Sequence, residues 1–184
     1  MTKAWRSTPL PATLPSSICH SCSCQNPVTD YHQRHMSDLE SRLEQATTEG
    51  HLLEVAQSNI CRLLAGSTNP LAREAVRELT ESGQWGELND RFYKTLAFGT
   101  GGLRGRTIGK VITKAEQGTG GPNGRPEHAC VGTAAMNSYN VGRAMRGMVA
   151  YTRRFVGAGR RPKLVIAHDT RHFSRDFAEF CAKV

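Results

Sequence analysis

A chain of 184 residues supports one domain and excludes a large multidomain enzyme. Lys plus Arg number 24 against 16 Asp plus Glu, a net charge of +8, which permits anionic partners. The cationic excess is not gathered into one long run, so nucleic acid is disfavoured as the partner, and no apolar run is long enough to cross a membrane.

Residues 1–35 are rich in Ser, Thr, Pro and Cys without a period, a composition that predicts a disordered leader. Cys19, Cys22 and Cys24 cluster there beside His20, and His32 and His35 follow. A Cys-x-x-Cys step is half of a zinc or redox site, but no second clustered pair completes it, so zinc binding is a minor alternative to free thiols. Scattered cysteines elsewhere suit a reducing compartment, and the expected location is the cytoplasm. Met36 opens a different kind of sequence, and a natural start there is one reading of the leader.

From Met36 the pattern turns helical. Ser37 and Glu40 have capping-box spacing, and Leu39, Leu43 and Ala46 recur at helical intervals, predicting a helix over 38–47. A second helix is predicted over 51–65, with Leu52, Ala56, Ile60 and Leu63 on its stripe and Gly66 at its end. Asn69-Pro70 reads as a cap and first helical position, leading a third stripe through Ala72, Ala75, Val76 and Leu79. Trp85, Leu88 and Phe92 continue it past the mixed-charge stretch Glu87–Arg91. Residues 36–96 are thus a helical segment ahead of residues 97–184.

The most unusual stretch follows. Phe98-Gly99-Thr100-Gly101-Gly102-Leu103-Arg104-Gly105-Arg106 holds four glycines between Gly99 and Gly105, a backbone able to turn sharply and approach a ligand. Converging N–H groups at Gly101 and Gly102, with Arg104 and Arg106 behind them, suit a phosphate. The stretch is neither the dinucleotide fingerprint nor a Walker loop, and on spacing alone a glycine hairpin with solvated arginines stands beside the anion site.

Thr107–Ile112 is predicted as a short strand, 117–126 as a glycine-rich loop, and Asn137–Tyr151 as a helix. Leu164-Val165-Ile166-Ala167 reads as a buried parallel strand delivering His168-Asp169-Thr170-Arg171 at its end. Ser174 is the expected cap of a helix over 175–184. Strand, polar tip and helix predict an α/β layer with ligands at the tip. Asp169 and Arg171 are expected to hold each other, with His168 as a neighbour.

Arg91-Phe92-Tyr93-Lys94 with Leu96-Ala97-Phe98-Gly99-Thr100-Gly101-Gly102-Leu103-Arg104-Gly105, and Ile166–Ser174 after it, resemble the alpha-D-phosphohexomutases, the family of phosphoglucomutase, phosphomannomutase and related phosphopentomutases. The resemblance covers about 66–184. It implies an α/β fold: a partial three-layer α/β/α first domain over 97–184, preceded by a helical lead-in. It also implies isomerase chemistry through an enzyme phosphoserine, a phosphosugar partner, and Mg2+ as cofactor of the parent enzyme. Arg104 would be the catalytic-cleft arginine, with Asp169 and Arg171 as architecture. The phosphoserine and metal loops of that family are absent from this sequence, so the chain is expected to be an inactive N-terminal fragment. The alternatives are a non-catalytic phosphosugar-binding or regulatory module and a basic nucleic-acid-binding protein.

Overall fold

A computed structural model describes residues 27–99, 102–157 and 159–184. The leader cysteines Cys19, Cys22 and Cys24 lie outside the described residues, as does Gly101.

The apolar stripes form helices where the spacing predicts them. α1 spans Pro27–Thr48, α2 Glu54–Gly66, α3 Pro70–Glu81 and α4 Trp85–Phe92. The backbone of α1 is already helical at Pro27, so Ser37 lies inside a helix rather than at its start. Asn69 caps α3 as expected, its side-chain oxygen accepting the Leu71 N–H at 3.0 Å with Pro70 in the first turn. These helices pack through Leu43, Ala56, Ile60, Ala75, Val76, Leu88 and Phe92, all fully or almost fully buried. Burying side chains of this size contributes about 1.5–3 kcal/mol each for the larger ones, and this is the main apolar core among the described residues.

Beyond α4 the chain becomes mostly loop. A single turn, α5 (Lys114–Gln117), sits against α3, and a 3-10 turn covers Pro122–Gly124. α6 spans Ser138–Val156 and α7 spans Ser174–Lys183, and the two pack together. Asn137 caps α6 by accepting the Asn140 N–H at 3.1 Å. Gly142 lets α7 come close: a Cβ there would stand 2.9 Å from the Phe180 ring.

The α/β expectation is overturned. Among the described residues there is no sheet, and the only bridge joins Gly99 to Gly102. Thr107–Ile112 runs through bends and coil. The Leu164–Ala167 run has no neighbouring strand, and Val165 is 97% exposed. A strand needs a ladder partner for its backbone groups, and no described segment lies alongside to supply one. The partial three-layer α/β/α domain is therefore not formed, and the described chain is a helical protein with long, well-anchored loops.

A buried thiol gives one test of this packing. Cys130 is 2% exposed, and burial pushes its pKa up to about 12. The unfolded thiol ionises near its ordinary value of 9.0, so its contribution to stability is complete below pH 9 and is lost as pH rises from there towards 12. The parent protein should lose about 1 kcal/mol more than Cys130→Ala between pH 8 and pH 10, measured by urea unfolding. Equal losses in the two proteins would show that Cys130 ionises freely in the folded state.

Candidate anion site and its buried support

The loops after α4 are held by a buried ionic cluster built on Arg91. Its Nε donates to Glu87 Oε1 at 2.8 Å, one helical turn earlier, and its Nη1 donates to Glu116 Oε1 at 2.6 Å. Side-chain exposure is 1% for Arg91, 3% for Glu87 and 2% for Glu116. The same guanidinium donates to the carbonyls of Val111 and Val131. The carboxylates in turn accept backbone donors: Glu87 takes the Lys110 N–H, and Glu116 takes the N–H groups of Val131 and Thr113. Glu116 also closes the capping box of α5 with Thr113. One arginine and two glutamates thus tie residues 110–131 to α4.

Arg106 belongs to the edge of this cluster. Its guanidinium lies 3.6 Å from Glu87 and 3.4 Å from Asp90, and Lys110 reaches Asp90 at 2.6 Å. The hydrogen bond from the Lys110 ammonium holds the Asp90 carboxyl below its usual range. With Arg106 counted, the two glutamates face two guanidinium groups, so the buried charge is balanced. Arg106 was expected at the anion site; the fold engages it with acids instead.

The glycine loop is fixed at both ends. The Leu96 N–H donates to the Thr133 carbonyl at 2.7 Å, and the Met136 N–H donates to the Arg106 carbonyl at 2.7 Å. Gly105 packs against the 134–136 backbone so closely that a Cβ would stand 2.9 Å from the Ala134 oxygen. Gly99 and Gly102 exchange both backbone hydrogen bonds at 3.1 Å, and Gly102 has φ +115°, a conformation open to glycine and strained for other residues. The result is a tight turn on an anchored base.

Arg104 emerges from that base. It is exposed and makes no hydrogen bond or ion pair among the described residues. Of the five arginines between 91 and 143, the other four are engaged: Arg91 and Arg106 as above, Arg125 with Asp176, and Arg143 with the Leu96 carbonyl. Beside Arg104, Leu103 and Phe98 line an apolar groove of about 290 Å³. Its other walls come from α6 (Val141, Met145), α7 (Phe177) and the tip residues Ile166 and Ala167. The fold therefore brings the glycine loop and the end of the 164–167 run to one groove, without a sheet between them.

The tip after Ala167 is a closed local unit. Arg171 Nε donates to Asp169 Oδ2 at 2.7 Å and its backbone N–H to Oδ1 at 3.0 Å. The Arg171 contacts hold the Asp169 pKa down at about 2. The two hold each other, as their spacing implied. Ser174 does not cap α7. Its hydroxyl accepts the Asp169 N–H at 3.1 Å, and Phe173, at φ +66°, occupies the cap position. The Phe173 ring is covered by the Arg125 guanidinium, 3.9 Å from its centroid. His168 is exposed beside the Asp169 carbonyl.

Sequence reasoning missed Glu87, Arg91, Glu116 and Asn140. The first pair has a helical i,i+4 spacing and Thr113-x-x-Glu116 a capping-box spacing, so both signals were present; neither announces burial. Asn140 is 1% exposed and donates to the carbonyls of Thr133 and Ala135, closing the loop that leads into α6.

Among the described residues, no group of three or more His, Cys, Asp or Glu side chains could hold a metal ion. None of the helices there is long and apolar enough to cross a membrane. No family model, curated protein or solved structure matches the chain. With no match and no sheet, the resemblance to the phosphohexomutases does not hold. The assignment as an N-terminal part of a phosphoglucomutase or phosphomannomutase, with its isomerase chemistry, is corrected accordingly.

Proposed function

We propose that this chain is a non-catalytic binding protein whose 98–106 loop receives the phosphate group of a small ester on Arg104. The observation that carries the reading is the isolation of Arg104: it stands unpaired, among the described residues, on a loop anchored at both ends, while the arginines around it are engaged. An unpaired guanidinium can grip two phosphate oxygens at once. Gly101 is the proposed backbone donor beside it; the Gly102 N–H, expected from the sequence to serve with it, is taken by the Gly99 carbonyl. The apolar groove lined by Phe98, Leu103 and Met136 offers a seat for the organic part of the ester. A reducing cytoplasmic setting belongs to the same reading, supported by the free thiols of Cys61, Cys130 and Cys181.

Calorimetric titration with inorganic phosphate and with phenyl phosphate tests it. Phenyl phosphate should bind saturably and more tightly than phosphate. Arg104→Ala should weaken it about tenfold or more, the loss of a charge-assisted contact of about 1.5–3 kcal/mol. Arg154→Ala, on the far part of α6, should leave it unchanged. Equal weakening by both substitutions would reduce the effect to general positive charge and end the proposal.

A further inference from the structure

The chain between His128 and His168 contains no Asp or Glu and seven Lys or Arg residues: Arg143, Arg146, Arg153, Arg154, Arg160, Arg161 and Lys163. Seven of the chain's net eight positive charges thus fall in one stretch. The last five are exposed and without an ion pair among the described residues. They flank an apolar surface. Tyr151 and Phe155 stack on α6 with centroids 6.0 Å apart, 68% and 78% exposed. Leu164, Val165 and Ile166 follow at 43%, 97% and 40%.

The backbone of this run is equally unpartnered. No hydrogen bond from the N–H or C=O groups of 160–167 occurs among the described residues. Three consecutive apolar residues, two of them β-branched, favour pleated backbone, and an open edge of that kind is a template for a further strand. Ile166 and Ala167 already line the apolar groove, so one face of an added strand would have a place for its own side chains.

We propose that residues 163–167 form a docking edge for an acidic, extended segment of another protein, which adds as a strand and pairs its carboxylates with Arg160, Arg161 and Lys163. Charge decides the occupant. A second copy of this chain would bring seven like charges to the same place, whereas an acidic strand complements them. A nucleic acid would match the charge but has no use for a row of free amides and carbonyls between aliphatic side chains. This edge does not use Arg104 and stands without the phosphate reading, although Ile166 and Ala167 line the same groove as Phe98, Leu103 and Met136, so a bound strand and a bound ester would compete for it.

The test uses the full chain and a fluorescein-labelled, end-capped hexapeptide of alternating Glu and Val. Saturable binding is expected, at least tenfold weaker for the Lys-for-Glu peptide, with slowed hydrogen exchange at the amides of 163–167. Val165→Pro removes one donor in a segment that packs little, and should abolish binding while thermal unfolding is unchanged. The double variant Arg160→Glu, Arg161→Glu should weaken binding at least tenfold. Failure of the Glu-Val peptide to bind would overturn the proposal. So would tighter binding of oligo-dT or of phosphatidylserine vesicles without protection of those amides, or self-association of the chain that protects them without peptide.

Discussion

Replacing Arg91 with methionine is expected to destabilise the protein by about 3–5 kcal/mol, the range for stranding buried charge by removing its partner. Glu116 would lose its guanidinium and Glu87 would keep only Arg106, at 3.6 Å, inside a site where neither glutamate is more than 3% exposed. The carbonyls of Val111 and Val131 would lose a donor as well. Against a domain stability of about 5–15 kcal/mol, that is a large fraction, and a urea melt would read it as a fall in midpoint. Buried ion pairs can often be exchanged for hydrocarbon at little cost. Here that exchange should fail. The two carboxylates also accept the N–H groups of Lys110, Thr113 and Val131, so the triple variant Arg91→Met, Glu87→Leu, Glu116→Leu leaves those donors unpaired. Each orphaned group costs about 1–3 kcal/mol. The triple variant should therefore remain at least as unstable as the single one. Recovery to parental stability would mean that the cluster is only an ion pair and does not organise the loops.

Gly132→Ala is expected to cost about 2–3 kcal/mol by overpacking. A Cβ at this position would stand 2.7 Å from the Arg91 carbonyl oxygen and 2.9 Å from the Arg91 Cβ. Neither atom is the free end of a side chain. The Arg91 carbonyl accepts the Ala134 N–H, and the Gly132 carbonyl is held by the amides of Asn137 and Asn140. Relief would require the 131–134 loop to lift from α4, and the Glu116 contact with Val131 would go with it. Gly147→Ala provides the contrast. Gly147 is exposed inside α6 with open space around it, so alanine there should stabilise by about 0.5–1 kcal/mol through helix propensity. Melts of both variants in parallel should shift in opposite directions. A shift of the same sign would refute the contact argument.

These two sites show why some of the molecule is legible from residues in line and some is not. The third helix announces itself: Asn69 and Pro70 specify a start, and Ala72, Ala75, Val76 and Leu79 specify a buried face. The tip at Asp169 and Arg171 is equally local, a carboxylate and a cation two residues apart that close on each other. Arg91 is different. Its i,i+4 partner Glu87 looks like an ordinary surface pair, and only the return of 111–131 over α4 seals it from water. Ser174 shows a local signal that the fold does not use: Phe173, under the Arg125 guanidinium, takes the cap position in a left-handed conformation, and the serine hydroxyl accepts the Asp169 N–H instead.

The family resemblance and the α/β expectation failed for a related reason. Both rested on the glycine stretch and on Leu164–Ala167 having the residue types that such folds use. Residue type along a segment records a preference for extended backbone, not the presence of a neighbour to satisfy it. By itself, the sequence determined the helical stripes, the Asn69 cap of α3 and the pairing at the tip, because each depends on residues a few positions apart. Only the tertiary structure decided that Arg91 is buried, that Arg106 is engaged while Arg104 is not, and that 164–167 remains unpaired. Burial and strand pairing are both set by segments distant in the chain, and an unpaired strand cannot be told from a paired one by its own side chains.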